Sequence, residues 1–226
     1  MIQKSNHKGY ALNRETLKQD RPLWLFLAAL IIAGFILYPM LPEQVPSHWN
    51  WKGEVDDYAS RAFGAFGMPL LALGLYIMML VLPFIDPKRE NYARFGAVYR
   101  LLRWGIVLFM TGLYAVTVLA ALGHSVNVGM LVKGGVAVLF ILIGNVMGQI
   151  QHNYFVGIKT PWTLANEEVW RLTHRLGAKI WVLGGLVCLA MAPFQTIWSA
   201  YVFIAVITVM ALVPVIHSYL VFRRSA

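Results

Sequence analysis

The sequence is poor in charge and in cysteine. Charged residues make up only 13% of the 226 residues, whereas apolar residues make up 59%, and the mean hydropathy is +0.63. Because an ordinary water-soluble domain carries about 25% charged residues, this composition excludes a conventional soluble fold. The single cysteine, Cys188, lies in an apolar run and cannot form an intramolecular disulfide, so we expect it to fill the core.

Repeats and known catalytic patterns are also absent. The first and the last three apolar stretches show no convincing similarity to each other, which gives no support to an inverted-repeat transporter. The sequence has no HExxH pattern and no paired acidic signature. We therefore expect a protein that is not an enzyme and that needs no cofactor.

What the sequence does contain is six apolar stretches long enough to cross a bilayer. The first, without a charged residue, gives about 28 Å of helix, close to the thickness of the hydrocarbon core. It follows a polar tail and reaches spanning length, so we expect an uncleaved anchor. The sequence predicts an all-α, polytopic integral membrane protein with six transmembrane helices. The predicted spans are residues 23–41, 63–85, 101–122, 130–148, 177–192 and 197–221.

The basic residues are distributed unevenly among the connections between these spans. Of the 19 lysine and arginine residues, 16 fall in the two tails or in the second and fourth connections. Only Lys52, Arg61 and Lys133 fall on the other side. Because basic residues accumulate on the cytoplasmic side, both termini are predicted to be cytoplasmic. The topology thus accounts for the placement of the basic residues behind the net charge of +9, and we expect no direct nucleic-acid partner.

This topology suggests three regions and two segments of interest. The regions are a cytoplasmic tail at residues 1–22 and two groups of three helices at residues 23–128 and 129–226. The outer segment, residues 42–62, and the inner segment, residues 149–176, are rich in aromatic, amide and histidine residues. Binding residues concentrate in irregular connections, so we expect function in these two segments.

The outer segment combines His48, Asn50 and Asp56 with two tryptophans. Imidazole and carboxylate are common metal ligands, but the spacing matches no specific zinc pattern. In the alternative, Trp49 and Trp51 lie at the membrane interface, Asn50 is a turn residue and Asp56 fixes the loop by bonding to the backbone. Four acidic residues against two basic ones would attract a cationic exported ligand.

A polar pattern leads into the inner segment. Asn145 and Gln149 are four residues apart, and His152 or Asn153 follows at a similar spacing, which predicts one shared face of a fourth helix that extends into the cytoplasm. These groups either hydrogen-bond between helices or line a polar cavity. The second role gives an alternative function, a small transporter or channel with a polar path near Asn145.

Local signals predict how the inner segment continues. Gly157 is expected to break the helix, and Thr160 followed by Pro161 is typical of a new helix start. Beyond it, two arrangements are open. Either Trp162 and Trp170 anchor an amphipathic interfacial helix, or the residues around His174 reach the polar face near Asn145 and form a site.

Histidine chemistry gives a third class of function, a membrane metal hydrolase built on His48, His152 and His174. The predicted topology opposes it, because His48 lies outside and the other two lie inside. A lone histidine is more often a structural group than a proton carrier, so catalysis by His174 is not expected.

The inner residues resemble the signature of the SdpI family of bacterial membrane immunity proteins. The residues that carry the resemblance are Gly144-Asn145, the run from Asn153 to Leu164 (NYFVGIKTPWTL), Trp170 and Thr173-His174. The outer residues Pro42, Pro46, His48, Asn50, Gly53 and Asp56 are similar to a domain of unknown function that often precedes this family. Lys159 stands where arginine is common in the family, which argues against a role that requires a planar guanidinium.

This resemblance implies a multi-pass protein of the bacterial cytoplasmic membrane that protects against a secreted peptide toxin and signals to a cytoplasmic autorepressor. The outer site, which would engage the toxin, is expected to contain His48, Asn50 and Asp56. The inner site, which would transmit occupancy or bind the cytoplasmic partner, is expected to contain Asn145, Gln149, Asn153, Lys159, Trp162, Trp170 and His174.

Overall fold

Six long apolar helices dominate the structure, as the sequence predicted. The computed structural model describes residues 18–50 and 53–225, so most of the predicted tail and the outer residues Trp51 and Lys52 lie outside the described residues. The long helices are α1 (Arg21–Leu37), α2 (Arg61–Ile85), α3 (Gly96–Ala121), α4 (Val128–Met147), α6 (Glu167–Met191) and α7 (Ile197–Ser225), and α5 (Pro161–Ala165) is a single short turn. All six are long and apolar enough to cross a membrane. The protein is a multi-pass membrane protein.

The outward-facing side chains of these helices are apolar. Leu25 on α1, Leu183 on α6 and Ile204 on α7 are each more than 60% exposed. A soluble protein rarely exposes a contiguous apolar surface of this extent, whereas a membrane protein presents such a surface to lipid. The exposed apolar surface and the helix lengths therefore support the same conclusion.

The outer segment is more regular than the predicted loop. It forms an antiparallel β-hairpin of β1 (Gln44–Trp49) and β2 (Val55–Ser60). Asn50 and Gly53 form its turn, since the Gly53 N–H donates to the Asn50 carbonyl at 2.9 Å and Gly53 adopts φ +82°. Val45 packs so closely on α2 that a Cβ at Gly64 would lie 2.7 Å from its side chain. The hairpin is thus seated on the helices.

The fifth span begins ten residues earlier than predicted. Residue 177 was the expected start, but α6 is continuous from Glu167, where the Asn166 side chain caps it by accepting from the N–H groups of Glu168 and Val169. A helix with Trp170 and His174 on one face was expected before residue 177, and the structure joins it to the span without a break. Its first turns are amphipathic, so their charged residues lay outside the apolar stretch from which the span was predicted. Trp170, His174 and Gly177 are buried within these turns.

Small residues allow α4 and α6 to approach closely. A Cβ at Gly144 would lie 2.7 Å from the backbone nitrogen of Val182, and a Cβ at Gly185 would lie 3.0 Å from that of Ile141. Gly144 and Gly148 are four residues apart, and Gly144 therefore allows close packing of α4 against α6. At Gly148 the nearest atom to a Cβ would be 4.0 Å away.

A buried ion pair ties the start of α1 to the next two helices. Asp20 is fully buried, and its Oδ2 accepts hydrogen bonds from Arg103 on α3 at 2.6 Å and from the Tyr76 hydroxyl on α2 at 3.0 Å. The Arg103 guanidinium also lies 5.3 Å from the centre of the Tyr99 ring. These contacts fix α1 against α2 and α3 at one end of the bundle.

Candidate functional site

Asn153 is the centre of the inner loop, residues 148–160, and its side chain is fully buried. Its Oδ1 accepts from the N–H groups of Phe155 and Val156 at 2.9 and 2.7 Å. Its Nδ2 donates to the carbonyls of Gln151 and Val156 at 2.8 and 2.9 Å. The side-chain amide of Asn153 thereby forms the hydrogen bonds that backbone N–H and C=O groups would form with each other in a helix or sheet. These bonds hold the irregular loop in one conformation.

Asp86 connects the inner loop to the end of α2. It is 2% exposed, and its Oδ2 accepts from the Tyr92 hydroxyl at 2.9 Å and from the Tyr154 N–H at 3.0 Å. Its Oδ1 accepts from the Lys88 N–H at 2.7 Å. These donors compensate for the burial of the carboxylate. The hydroxyl of Tyr92 also lies 3.4 Å from Oδ1 of Asn153, so both polar centres form one network.

The sequence analysis missed this part of the site. It used residues 86–103 only as a source of positive charge, yet Asp86, Asn91 and Tyr92 all contact or support the inner loop. Asn91 donates to the His152 carbonyl at 2.7 Å. The available signal was an acidic residue followed by proline directly after an apolar span, which indicates a carboxylate held at the membrane edge.

The side chain of His174, on α6, supports the inner loop. Its Nδ1 lies 2.8 Å from the Trp170 carbonyl, which only accepts, so this nitrogen carries the proton. Its Nε2 accepts from the Ile158 N–H at 3.0 Å, so the ring is neutral. The imidazole also stacks on the Trp170 ring, with centroids 4.0 Å apart. Both nitrogens are therefore occupied in a structural role.

Gly157 passes directly over this stack. It adopts φ +124°, a conformation that side chains rarely accept, and a Cβ there would collide with Nε2 of His174 and lie 3.1 Å from the Trp170 ring. The loop thus requires glycine for both its backbone conformation and its close approach to α6.

The predicted helix start at Thr160 is confirmed. The Thr160 hydroxyl caps α5 by accepting from the Thr163 N–H, and the Thr163 hydroxyl accepts in turn from the Thr160 N–H. Pro161 occupies the first turn. The Thr160 hydroxyl lies 3.0 Å from that of Ser218 on α7. The Trp162 ring lies 5.0 Å from that of Tyr219, so α5 is held against α7.

The expected shared face of Asn145, Gln149 and Asn153 is wrong. Helix α4 ends at Met147, and Gly148 turns the chain so that the Gln149 N–H donates to the Val146 carbonyl. Asn145 and Gln149 are exposed, whereas Asn153 is buried, so these residues do not line a common path.

The expectation of an interfacial helix anchored by tryptophan also fails at Trp170. Its side chain is 2% exposed, and its Nε1 donates to the Ile150 carbonyl at 2.9 Å. Trp170 therefore belongs to the packed core beneath the inner loop. Lys159, by contrast, is exposed, and its Nζ donates to the Phe155 carbonyl at 3.0 Å.

At the other end of the bundle the outer residues lie on the hairpin. Nδ1 of His48 lies 2.6 Å from Oδ1 of Asp56 on the adjacent strand, and both side chains are well exposed. The predicted bond from Asp56 to the loop backbone is thus replaced by a cross-strand pair. Asn50 accepts from the Glu54 N–H at 3.1 Å and stabilises the turn.

A cleft of about 380 Å³ lies between the hairpin and the helices α3 and α4. His48, Trp49 and Asn50 line it from the hairpin, and Lys133 lines it from α4. Within the described residues, no group of three or more histidine, cysteine or acidic side chains lies close enough to hold a metal ion.

The outer and inner residues lie at opposite ends of α2. This helix has 25 residues, or about 37 Å, between the hairpin and Asp86. His48 therefore does not meet His152 or His174, and the three histidines of the metal-hydrolase hypothesis form no common site.

Comparisons with known proteins match both ends of the molecule. Residues 149–218 match the sequence model of the SdpI/YfhL protein family. This match, over residues that we call the SdpI-family region, confirms the resemblance found in the sequence. Residues 25–73 match a domain of unknown function, DUF1648. The SdpI-family region contains most of the inner loop, α5, α6 and much of α7. The DUF1648 match contains most of α1, the hairpin and the first half of α2.

The similarity to one relative extends over most of the chain. The chain is 26% identical over 193 residues to the immunity protein SdpI of Bacillus subtilis (strain 168), which covers 85% of this chain and 90% of that protein. No solved structure matches this chain.

Proposed function

We propose that this protein is a membrane immunity protein that protects its cell against a secreted peptide toxin. The observation that carries the proposal is the similarity to SdpI, an immunity protein, over 85% of the chain. The aligned length is sufficient to include both the SdpI-family region and the hairpin end, so the similarity is not confined to apolar helices. The proposed location is the bacterial cytoplasmic membrane, with the hairpin outside.

The outer site of this proposal is the hairpin with its cleft. His48 and Asp56 present an exposed pair, and three further acidic residues lie in the same segment, which favours a cationic peptide. The cleft beside His48 and Asn50 offers a partly apolar surface next to these charges. A peptide that is both cationic and apolar would complement these acidic residues and this apolar surface.

The inner site is proposed to transmit toxin occupancy to a cytoplasmic partner, such as a repressor. Its internal groups, Asn153 and His174, already bond within the chain, so the partner would contact the exposed groups of the loop instead. Tyr154 is 40% exposed and Lys159 is also exposed. A loop that is fixed internally and exposed at its tip is suited to recognition with little loss of conformational entropy.

Expression in a toxin-sensitive host that lacks its own immunity gene tests the proposal. Survival at a lethal toxin dose is expected to rise with this protein, and Asp56→Asn is expected to reduce it because the pair with His48 is lost. Asp57→Asn is the matched control, since it removes the same charge, but among the described residues Asp57 bonds only to the neighbouring Tyr58 N–H. A larger loss of survival with Asp56→Asn than with Asp57→Asn is therefore the expected effect of the pair with His48. Unchanged survival with membrane insertion verified would contradict immunity.

A further inference from the structure

A polar cavity of about 570 Å³ opens beside the inner loop. Its basic lining residues are Arg94, which follows α2, and Arg171 and Arg175 on α6. His152 of the inner loop and two acidic residues at the start of α6, Glu167 and Glu168, also line it. None of these six residues belonged to the predicted inner site.

The charges of the cavity are only partly compensated. Glu168 pairs with Arg171 at 2.5–2.8 Å, and Glu167 lies 3.4 Å from Lys88 and 3.5 Å from His152. Among the described residues, Arg94 and Arg175 form no ion pair. Two guanidinium groups that line one cavity without a carboxylate at ion-pair distance favour an anionic ligand.

His152 provides an independent observation. This residue is only 7% exposed, and its Nε2 has no hydrogen-bond partner within the described residues. A buried polar atom without a partner destabilises the folded protein, so a polar ligand in the adjoining cavity would recover part of that lost stability. The cavity therefore combines unpaired cations with an unsatisfied polar group.

The position along α6 indicates which anion fits. Arg171, Arg175 and Lys179 follow one exposed face at intervals of four residues, and the same face continues with Leu183, which is 63% exposed. From Arg175 to Leu183 the helix rises about 12 Å, which places the arginines just outside the hydrocarbon region. Lipid phosphates occupy this depth.

We propose that this cavity binds a phosphate group, presented by the headgroup of an anionic phospholipid in the cytoplasmic leaflet. Arg94 and Arg175 bind the phosphate oxygens, since the guanidinium fork matches their geometry. His152 lies at the inner wall and contacts the polar part of the headgroup. The bound lipid joins the end of α2 to the start of α6, and thereby supports the inner loop.

Native mass spectrometry of the purified full chain tests this proposal. Phosphatidylglycerol is expected to remain bound at detergent concentrations that remove phosphatidylcholine. The double variant Arg94→Gln/Arg175→Gln is expected to weaken this binding about tenfold or more, because it removes both charge-assisted contacts to the phosphate. The matched control is Arg223→Gln/Arg224→Gln, which removes two exposed arginines at the end of α7 and should retain the lipid.

Two further arms distinguish the sources of the phosphate. Thermal stability is measured with phosphatidylglycerol and with millimolar inorganic phosphate, and His152→Phe is included in both series. Stabilisation by the lipid that is lost in the arginine variant supports the proposal. Equal stabilisation by inorganic phosphate would assign the site to a soluble phosphate and overturn the lipid assignment. Equal lipid retention by wild type and the folded arginine variant, or binding of an acidic peptide alone, would overturn the phosphate site.

Discussion

At the scale of single residues, the inner motif consists mainly of groups that hold one another in place. Asn153 bonds to the backbone of its own loop, and both ring nitrogens of His174 are engaged. Such residues specify a conformation, and they carry no free group for a reaction. The groups that remain exposed, such as Lys159, are the ones that a partner can reach.

Gly157→Ala tests whether the loop conformation depends on this single residue. The substitution is expected to destabilise the protein by about 1–3 kcal/mol, because it imposes a positive φ on alanine and a collision with His174. A lower midpoint of thermal unfolding in detergent and faster hydrogen exchange in residues 148–160 would be the result. Gly148→Ala is the control, since Gly148 has φ −67° and its Cβ would have 4.0 Å of clearance. Equal behaviour of the two variants would contradict the structural role of Gly157.

At the scale of helices, the buried Asp20–Arg103 pair determines how α1 meets α2 and α3. A buried charge that loses its partner typically costs about 3–5 kcal/mol, whereas a neutral pair of similar shape costs much less. The stability of α1 packing should therefore depend on the pair and not on either residue alone.

The prediction is a non-additive mutant cycle. Asp20→Asn and Arg103→Gln are each expected to lower thermal stability in detergent strongly, and the double variant is expected to be more stable than either, because no uncompensated charge remains. Arg89→Gln, at an exposed arginine, should change stability little. Additive losses in the double variant would show that the two side chains act independently.

The sequence predicted the helices well and their polar ends poorly. The length of the apolar stretches was sufficient to locate all six spans, because a helix that crosses the hydrocarbon core needs about 20 mainly apolar residues. The start of the fifth span was placed too late because the first turns of α6 carry Glu167, Arg171 and Arg175. The opposite face of these turns is buried, and this burial becomes visible only in the folded structure. The loop after α4 was misplaced for a related reason, since Asn153 replaces the helix with side-chain bonds that no spacing reveals.

The resemblance to a known family located more residues of the candidate sites than the spacing of polar residues did. The motif named Asn153 and His174, which the structure places in one region, but it also included Asn145, which is exposed. The spacing argument added Gln149, which is exposed as well. Asp86 and Tyr92 came from a distant part of the chain, so only tertiary structure brings them to the loop. The hairpin escaped prediction because its strands are short and contain a proline, Pro46.

At the scale of the whole molecule, the proposal of an outer toxin site and an inner partner site depends on the orientation of the bundle. The hairpin and the inner loop lie at opposite ends of a helix about 37 Å long, which exceeds the hydrocarbon thickness of about 30 Å. The distribution of basic residues predicts that the hairpin lies outside. Any signal between the two ends must then pass along the helices that connect them, and α2 connects them directly.

Cysteine labelling tests this orientation. In a Cys188→Ala background, which removes the buried native thiol, Asp57→Cys on the hairpin and Glu90→Cys after α2 each introduce one exposed thiol. A membrane-impermeant maleimide is expected to label Asp57→Cys in intact cells or spheroplasts and to label Glu90→Cys only after permeabilisation. The reverse pattern would invert the bundle and assign the hairpin to the cytoplasm. Labelling of both positions in intact cells would place the two sites in one compartment, and an external toxin could then not be sensed at one side and reported at the other.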